Sequence, residues 1–295
     1  MMIRYKIEYY FVIILEKLLM KLPRRVRKGI FLTLGNLVYL LNSSNKKVIQ
    51  KNLLYVYDGN ISEKKIKEIQ KKCYQKLFLN ILSIIENEYI SDQELDNMIT
   101  FENKHFFDEV SKDNKPFIYI TAHLGNIDLL GKITGKKLGR MVQVFQRLNN
   151  PLLTEYMKKK RETYNLEIVE KHGAIKKLFL ALKKGKPISL IIDQNVNIKY
   201  ATKITFLNKP AYQTNSTSNL ALKLDVPILP FFIVEEKKDK YKIIFEKPIY
   251  PQGKTEPQLT QLQADVMSKM IFKYPQEWFW CHKRFKNSNP SLYKK

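Results

Sequence analysis

Two periodicities divide the chain. Up to about residue 95, apolar residues recur at helical spacing and little reads as a strand. Ile66, Ile69, Cys73 and Leu77 lie three or four residues apart behind Ser62. Serine is a residue type whose hydroxyl accepts a hydrogen bond from the first helical turn. From about residue 115, short β-branched and aromatic runs take over: 117–121 after Pro116, 141–145, 188–192 after Pro187, 228–234 and 241–245. Helical stretches lie between the first three, and one of them, 174–184, stops at Gly185 as a helix end should. Leu259, Leu262, Val266, Met267, Met270 and Ile271 mark a late amphipathic helix from Pro257. Strands alternating with helices predict an α/β fold, a largely parallel mixed sheet flanked by helices. The expected division is a helical segment over 1–95 and an α/β domain over 96–295, with no internal repeat.

The N-terminus adds a second theme. Residues 9–15 are apolar, Glu16 and Lys17 interrupt, and Leu18, Leu19 and Met20 follow. A membrane-spanning helix needs about 20 mostly apolar residues, and this run falls short. It lacks the small-residue cleavage site of a signal peptide. Arg4 and Lys6 precede it; Lys21, Arg24, Arg25, Arg27 and Lys28 follow. An apolar helical face beside clustered basic residues suits an amphipathic helix lying on an anionic membrane. The same pattern suits a helix packed on the protein's own core; the clustered charge favours the membrane.

Charge widens the choice of partners. The 52 Lys and Arg against 28 Asp and Glu give a formal net charge of +24, which attracts polyanions. Nucleic acid, an anionic bilayer, a phosphorylated head group and an acidic carrier protein all qualify. The 44% hydrophobic content excludes a disordered chain, and 295 residues allow one large domain with a helical extension. Cys73 and Cys281 lie far apart in sequence, without zinc spacing, and read as reduced buried thiols in a cytoplasmic setting.

The segment with the most chemistry is Ile120-Thr-Ala-His-Leu-Gly-Asn-Ile-Asp-Leu-Leu130. A β run ends, His123 follows and a helical pattern begins. Ligands of open α/β sheets bind beyond the carboxyl ends of the strands, where His123 is expected. Gly125 allows a substrate close to the backbone, and the helix start offers N–H groups to an anion. His123 and Asp128 would diverge by about 140° on one continuous helix. They meet only if His123 lies in the turn and Asp128 reaches back from the first helical turn. A carboxylate there would orient an imidazole acting as a general base.

His123-Leu-Gly-Asn-Ile-Asp128 resembles the His-x-x-x-x-Asp/Glu signature of glycerolipid acyltransferases. More specifically it resembles the His-Phe-Gly-Asn-Trp-Glu block of bacterial lipid A biosynthesis acyltransferases. Similar blocks follow in order: Phe145-Gln-Arg147 with Asn150-Pro151, then Arg161, Gly173-Ala-Ile175 and Asp193-Gln194. Lys209-Pro-Ala211, Leu220-Ala221, Val226-Pro-Ile-Leu-Pro230 and Glu277-Trp-Phe-Trp-Cys-His-Lys-Arg-Phe285 complete them. The resemblance implies an O-acyltransferase at the cytoplasmic face of the inner membrane. Its donor would be acyl carrier protein or acyl-CoA, and its acceptor a hydroxyl of a lipid A precursor or related glycolipid. It implies His123 and Asp128 as the catalytic pair, with Asn126, Arg147, Arg161, Asp193 and Gln194 at the substrate. Ile127 replaces the family's tryptophan and Asp128 its commoner glutamate.

Each of these residues also has an ordinary structural role open to it. Arg147 follows a strand and is expected over the sheet edge, where a planar fork suits phosphate or a carbonyl oxygen. Arg161 sits in the run Lys158-Lys-Lys-Arg161, a pattern usual for a solvated face, so Arg147 is expected to matter more. Asp193 either orients Arg147 or His123 or caps a turn. Asn126 either touches substrate or caps the helix. His105 and His172 read as surface residues, and the aromatic residues around His282 as core or membrane-interface packing. No nucleophile elbow, P-loop, dinucleotide fingerprint or metal constellation is visible. This favours direct transfer without a covalent intermediate, metal or cofactor. A basic nucleic-acid-binding protein is the alternative class; charge supports it and no nucleic-acid motif does.

Overall fold

The computed structural model describes residues 2–294. Five helices come first: α1 (Met2–Met20), α2 (Arg24–Leu41), α3 (Ser43–Val56), α4 (Glu63–Glu86) and α5 (Asp92–Met98). Then follow β1 (Ile99–Glu102), α6 (His105–Ser111), β2 (Ile118–Thr121), α7 (Ile127–Ile133), β3 (Met141–Phe145), α8 (Pro151–Glu162), β4 (Leu166–Glu170), α9 (Ala174–Lys183) and β5 (Ile188–Ile191). The chain continues through β6 (Ala201–Phe206), β7 (Lys209–Thr214), α10 (Ser216–Leu224), β8 (Ile228–Lys237), β9 (Lys240–Phe245) and α11 (Glu256–Lys273). Seven strands form one sheet in the order β1-β9-β8-β2-β5-β3-β4. Every pairing is parallel except β8 with β9. The fold is therefore the expected α/β architecture, a mostly parallel mixed sheet flanked by helices.

Strand alternation sorts the core into two layers. Ile118 and Ile120 of β2 pack on one face with α3, α4 and α9; Phe117 and Tyr119 pack on the other with Leu129, Leu130 and Ile133 of α7. The helical N-terminal third thus contributes Ile49, Leu53, Ile66, Ile69 and Cys73 to the same core as the sheet. Ser62 caps α4 by accepting from the Lys65 N–H, as its position in the sequence predicts.

Four strands were not legible. β1 and β4 are short and carry glutamates among their apolar residues. The β6–β7 hairpin turns through Leu207 and Asn208, both left-handed at φ 50° and 60°. Leucine there hides a turn that asparagine or glycine would advertise.

The helices α1 and α2 present matching apolar stripes. Ile3, Ile7, Phe11, Ile14 and Leu18 recur on α1, and Val26, Ile30, Leu34, Leu37 and Leu41 on α2, all exposed. Glu16, which interrupts the apolar run in sequence, is buried and binds the Lys160 ammonium at 2.5 Å and the Tyr156 hydroxyl at 2.9 Å. The basic cluster after α1, expected beside an apolar face on an anionic membrane, is largely paired within the protein. Arg27 donates to Glu86 at 2.7 Å, Lys28 to Asp239 at 2.8 Å, and Arg24 lies 3.3 Å from Asp239. Of the four basic residues from 24 to 28, Arg25 remains fully on the surface. No helix among the described residues is long and apolar enough to cross a membrane.

Candidate active site

Strand register builds the centre of the site. β2 and β5 are neighbours, with Thr121 opposite Ile191. His123 and Asp193 each lie two residues beyond those partners, so both leave the carboxyl edge at the same level. The His123 Nδ1 lies 2.7 Å from Asp193 Oδ1, and the His123 backbone N–H donates to Oδ2 at 2.9 Å. The Trp278 indole N–H donates to the same Oδ2 at 2.7 Å. Asp193 is buried, while a third of the His123 side chain remains accessible.

These contacts set the electrostatics. Burial opposes ionisation of Asp193, but the charge and hydrogen bond of His123, with the indole and backbone N–H, bring its pKa down to about 2. Burial likewise disfavours the imidazolium, and the Asp193 carboxylate outweighs it, raising the His123 pKa above its ordinary value. A carboxylate accepts at Nδ1, so Nδ1 carries the proton and Nε2 presents a lone pair. The Gln194 amide nitrogen stands 3.4 Å from that Nε2.

The pairing of His123 with Asp128 is therefore corrected. Asp128 does lie in the first turn of α7, but its carboxylate binds elsewhere. Arg161 donates to Oδ1 through Nε at 3.1 Å and Nη2 at 2.7 Å, and the Asn87 amide donates to Oδ2 at 2.9 Å. The reach back to His123 is replaced by a reach across to α8.

A cavity of about 440 Å³ joins the two centres, within the roughly 300–1,000 Å³ of small-molecule sites. Cys73, Lys76, Leu77, Asn80 and Ile84 of α4 form one wall, at the spacing of a single helix face. His123, Asp128, Phe145, Arg161, Trp278 and Phe279 also line it. The segment 123–128 runs alongside α4. The Phe279 N–H donates to the His123 carbonyl, near where the Cys73 thiol meets the Trp278 carbonyl. Asn80 donates to the Gly125 carbonyl, and Asn87 to Asp128 one helical turn past Ile84. His123 and Asp128 thus stand toward opposite ends of the wall.

The other expected site residues divide. Arg147 is exposed on the loop after β3 and does not line the cavity. Arg161 does, with its guanidinium 4.8 Å from the centre of the Phe145 ring. The expected placement of the two arginines is thereby reversed, because the lysine–arginine run is not a solvated face. Lys160 is buried against Glu16 and Arg161 against Asp128. Asn126 is a cap: its Oδ1 accepts from the Leu129 N–H at 3.1 Å and its Nδ2 donates to Ser83 at 2.9 Å. Gly125 has φ 72°, and a Cβ on it would lie 2.0 Å from the Ile233 carbonyl oxygen. The close neighbour that requires glycine is thus strand β8 rather than substrate.

Several residues acquire roles that their positions in the sequence did not disclose. Trp278 orients Asp193, and Glu277 pairs with Lys76 at 2.7 Å in the cavity wall. Cys73 and Cys281, distant in sequence, meet; the hydrogen bond to Cys281 and burial push the Cys73 thiol well up. His105 and His172 are exposed, as expected. Trp278 and Trp280 are buried, which favours core packing over a membrane interface.

Among solved structures, the 1-acyl-sn-glycerophosphate (LPA) acyltransferase PlsC from Thermotoga maritima is similar to this chain, with a TM-score of 0.43 and 15% identity. The similarity covers 85% of this chain and 99% of the other. No curated protein sequence matches. The model of the bacterial lipid A biosynthesis acyltransferases matches residues 1–287. Because that match takes in almost the whole chain, the protein belongs to the bacterial lipid A biosynthesis acyltransferase family.

Proposed function

We propose that the protein transfers a fatty acyl chain from an acyl thioester to a hydroxyl of a lipid A precursor, with His123 as the general base. The observation that carries this reading is His123 itself. Its Nδ1 is held by a buried carboxylate, and its ring lines a mostly apolar cavity. The acceptor hydroxyl gives its proton to Nε2 as its oxygen attacks the thioester carbon. The new C–O bond forms, the C–S bond breaks, and the imidazolium returns the proton to the departing thiolate. Asp193 stabilises the imidazolium and remains ionised. At the other end of the cavity, Asp128 holds the Arg161 guanidinium through Nε and Nη2, which leaves the Nη1 donors for a polar group of the acceptor.

Acyl carrier protein is the proposed donor, with acyl-CoA as the other source of the same thioester. The proposed location is the cytoplasmic face of the inner membrane. The exposed stripes of α1 and α2, with Lys6, Lys17, Lys21 and Arg25 beside them, support docking on anionic lipid. The test is an acyl-transfer assay with purified protein, both donors and a panel of hydroxyl lipids, read by mass spectrometry. The reading expects one acyl ester on the lipid A precursor, formed about 100-fold or more slowly by His123→Ala. An ester formed only on another glycolipid would replace the acceptor. No ester with any pair would reject the reaction.

A further inference from the structure

The segment 278–287 is bound along the whole loop that carries Asp193. Trp278 donates to the Asp193 carboxylate, and the Asn195 N–H donates to His282 Nε2 at 2.8 Å. Asn287 donates from its side chain to the Val196 carbonyl at 2.6 Å and from its backbone to Asn195 Oδ1 at 3.4 Å. Arg284 Nη1 donates to the Gln194 carbonyl at 3.5 Å and also to the Tyr212 carbonyl of β7. Each residue from 193 to 196 is thus held by a side chain or backbone group of the same segment.

Arg284 is the unusual member. It is fully buried, forms no ion pair among the described residues, and its Nε and Nη2 have no hydrogen-bond partner. Packing explains where it sits: the guanidinium lies 4.5 Å from the centre of the Phe206 ring, and Phe206 packs on Trp278 at 5.9 Å. Packing does not explain why a cation is there, since an uncompensated buried charge is costly and an apolar side chain would fill the space. The carboxylate whose field acts on it is Asp193.

We propose that Arg284 is a positioning residue for the His123–Asp193 pair, its fixed charge balancing the buried Asp193 carboxylate while its hydrogen bonds hold the loop that carries Asp193. This rests on the reading of His123 as general base. With His123 neutral, Asp193 and Arg284 cancel. Protonating His123 leaves the cluster with a net positive charge. Arg284 therefore opposes protonation and keeps the base free, against Asp193, which favours it. His282 and Tyr293 also face the cluster, and the Lys76–Glu277 pair lines the cavity with His123. Burial lowers the His282 pKa, which suits its accepting role toward the Asn195 N–H.

The test compares Arg284→Gln and Arg284→Lys in the full chain. One readout is the pH profile of acyl transfer. The other is NMR titration of the His123 imidazole, assigned by the signal lost in His123→Asn. In Arg284→Gln, the His123 pKa and the acid limb of the profile should rise by about half a unit or more. Its kcat should fall about 100-fold, with KM little changed, because the loop shifts. Arg284→Lys should keep the wild-type His123 pKa and recover much of kcat. A folded Gln variant whose His123 titrates as in wild type overturns the proposal. So does a Lys variant shifted by half a unit, even if the Gln variant does not fold. If the wild type transfers no acyl chain, the reaction reading fails, and the titration still decides the role of Arg284.

Discussion

Asp193→Asn is the change that most sharply separates an orienting carboxylate from a merely buried one. Three donors converge on this side chain: the His123 ring on Oδ1, and the His123 N–H and Trp278 indole on Oδ2. A carboxylate accepts all three, whereas an asparagine has one acceptor oxygen and an amide that can only donate. The amide oxygen is held by the two donors now on Oδ2, so the NH2 faces His123 Nδ1. The ring must then accept at Nδ1 and carry its proton on Nε2, the tautomer that cannot take a proton from a hydroxyl. Loss of the correct tautomer costs about 10⁴-fold in turnover in a comparable triad, and a fall of that order is expected here. The stability signature runs the same way. The Asp193 pKa drops from 3.8 to about 2 on folding, which corresponds to about 2 kcal/mol. A depressed carboxylate pKa contributes stability above the unfolded value, and that contribution is lost as pH falls through the folded value. The deficit of the variant should thus be present at neutral pH and shrink as pH falls toward 2. His123, no longer supported against burial, should titrate below its wild-type value. The assays are transfer rates across pH, urea melts at neutral and acid pH, and NMR titration of His123. A folded variant within about tenfold of wild-type turnover, or with an unmoved His123, would show that Asp193 does not orient the base.

Arg161→Ala should lower kcat/KM by about 100-fold, since it removes a lining guanidinium and leaves the Asp128 carboxylate without its partner, whereas Arg147→Ala should stay near wild type; equal losses would return Arg147 to the site. Glu16→Ala leaves the buried Lys160 ammonium with Glu88 alone at 3.0 Å, and chemical denaturation should show a loss of about 2–4 kcal/mol; a change within experimental error would mean α1 is not clamped there. Gly125→Ala should cost at least about 3 kcal/mol or prevent folding, because the new Cβ meets the Ile233 carbonyl; a soluble variant with an unchanged melt would contradict the packing. Phe11→Ser with Leu34→Ser should weaken binding to anionic vesicles while leaving the melt unchanged, and undiminished binding would remove these stripes from the membrane face.

Much of this was legible in the chain. The strands 141–145 and 188–192 stand out because each is a buried parallel strand with a near-continuous apolar run. Both ends that matter, His123 after β2 and Asp193 after β5, are visible as polar residues closing such runs. What the chain does not display is that β2 and β5 are neighbours, although one lies about 70 residues from the other. Without that adjacency, Asp128, five residues away, is the natural partner for His123. The same limit hid Arg161. A basic run looks solvated until its helix is placed, and only then do Glu16 and Asp128, from α1 and α7, appear beneath it. Trp278 was visible only as an aromatic of the core or of a membrane interface, and its indole N–H carries no sequence signal of the carboxylate it meets.

In the proposed mechanism His123 and Asp193 act as one unit, with Asp128 working separately through Arg161. The most direct measurement is a double-mutant cycle of acyl-transfer rates on purified, folded proteins: His123→Ala, Asp193→Ala, Asp128→Ala and the paired variants. Residues that act as a unit are strongly non-additive. The His123–Asp193 double variant should be little worse than either single one, while the losses from His123→Ala and Asp128→Ala should multiply until the uncatalysed floor is reached. Multiplying losses for His123 with Asp193, together with non-additivity for His123 with Asp128, would contradict the account and restore Asp128 as the partner of the base.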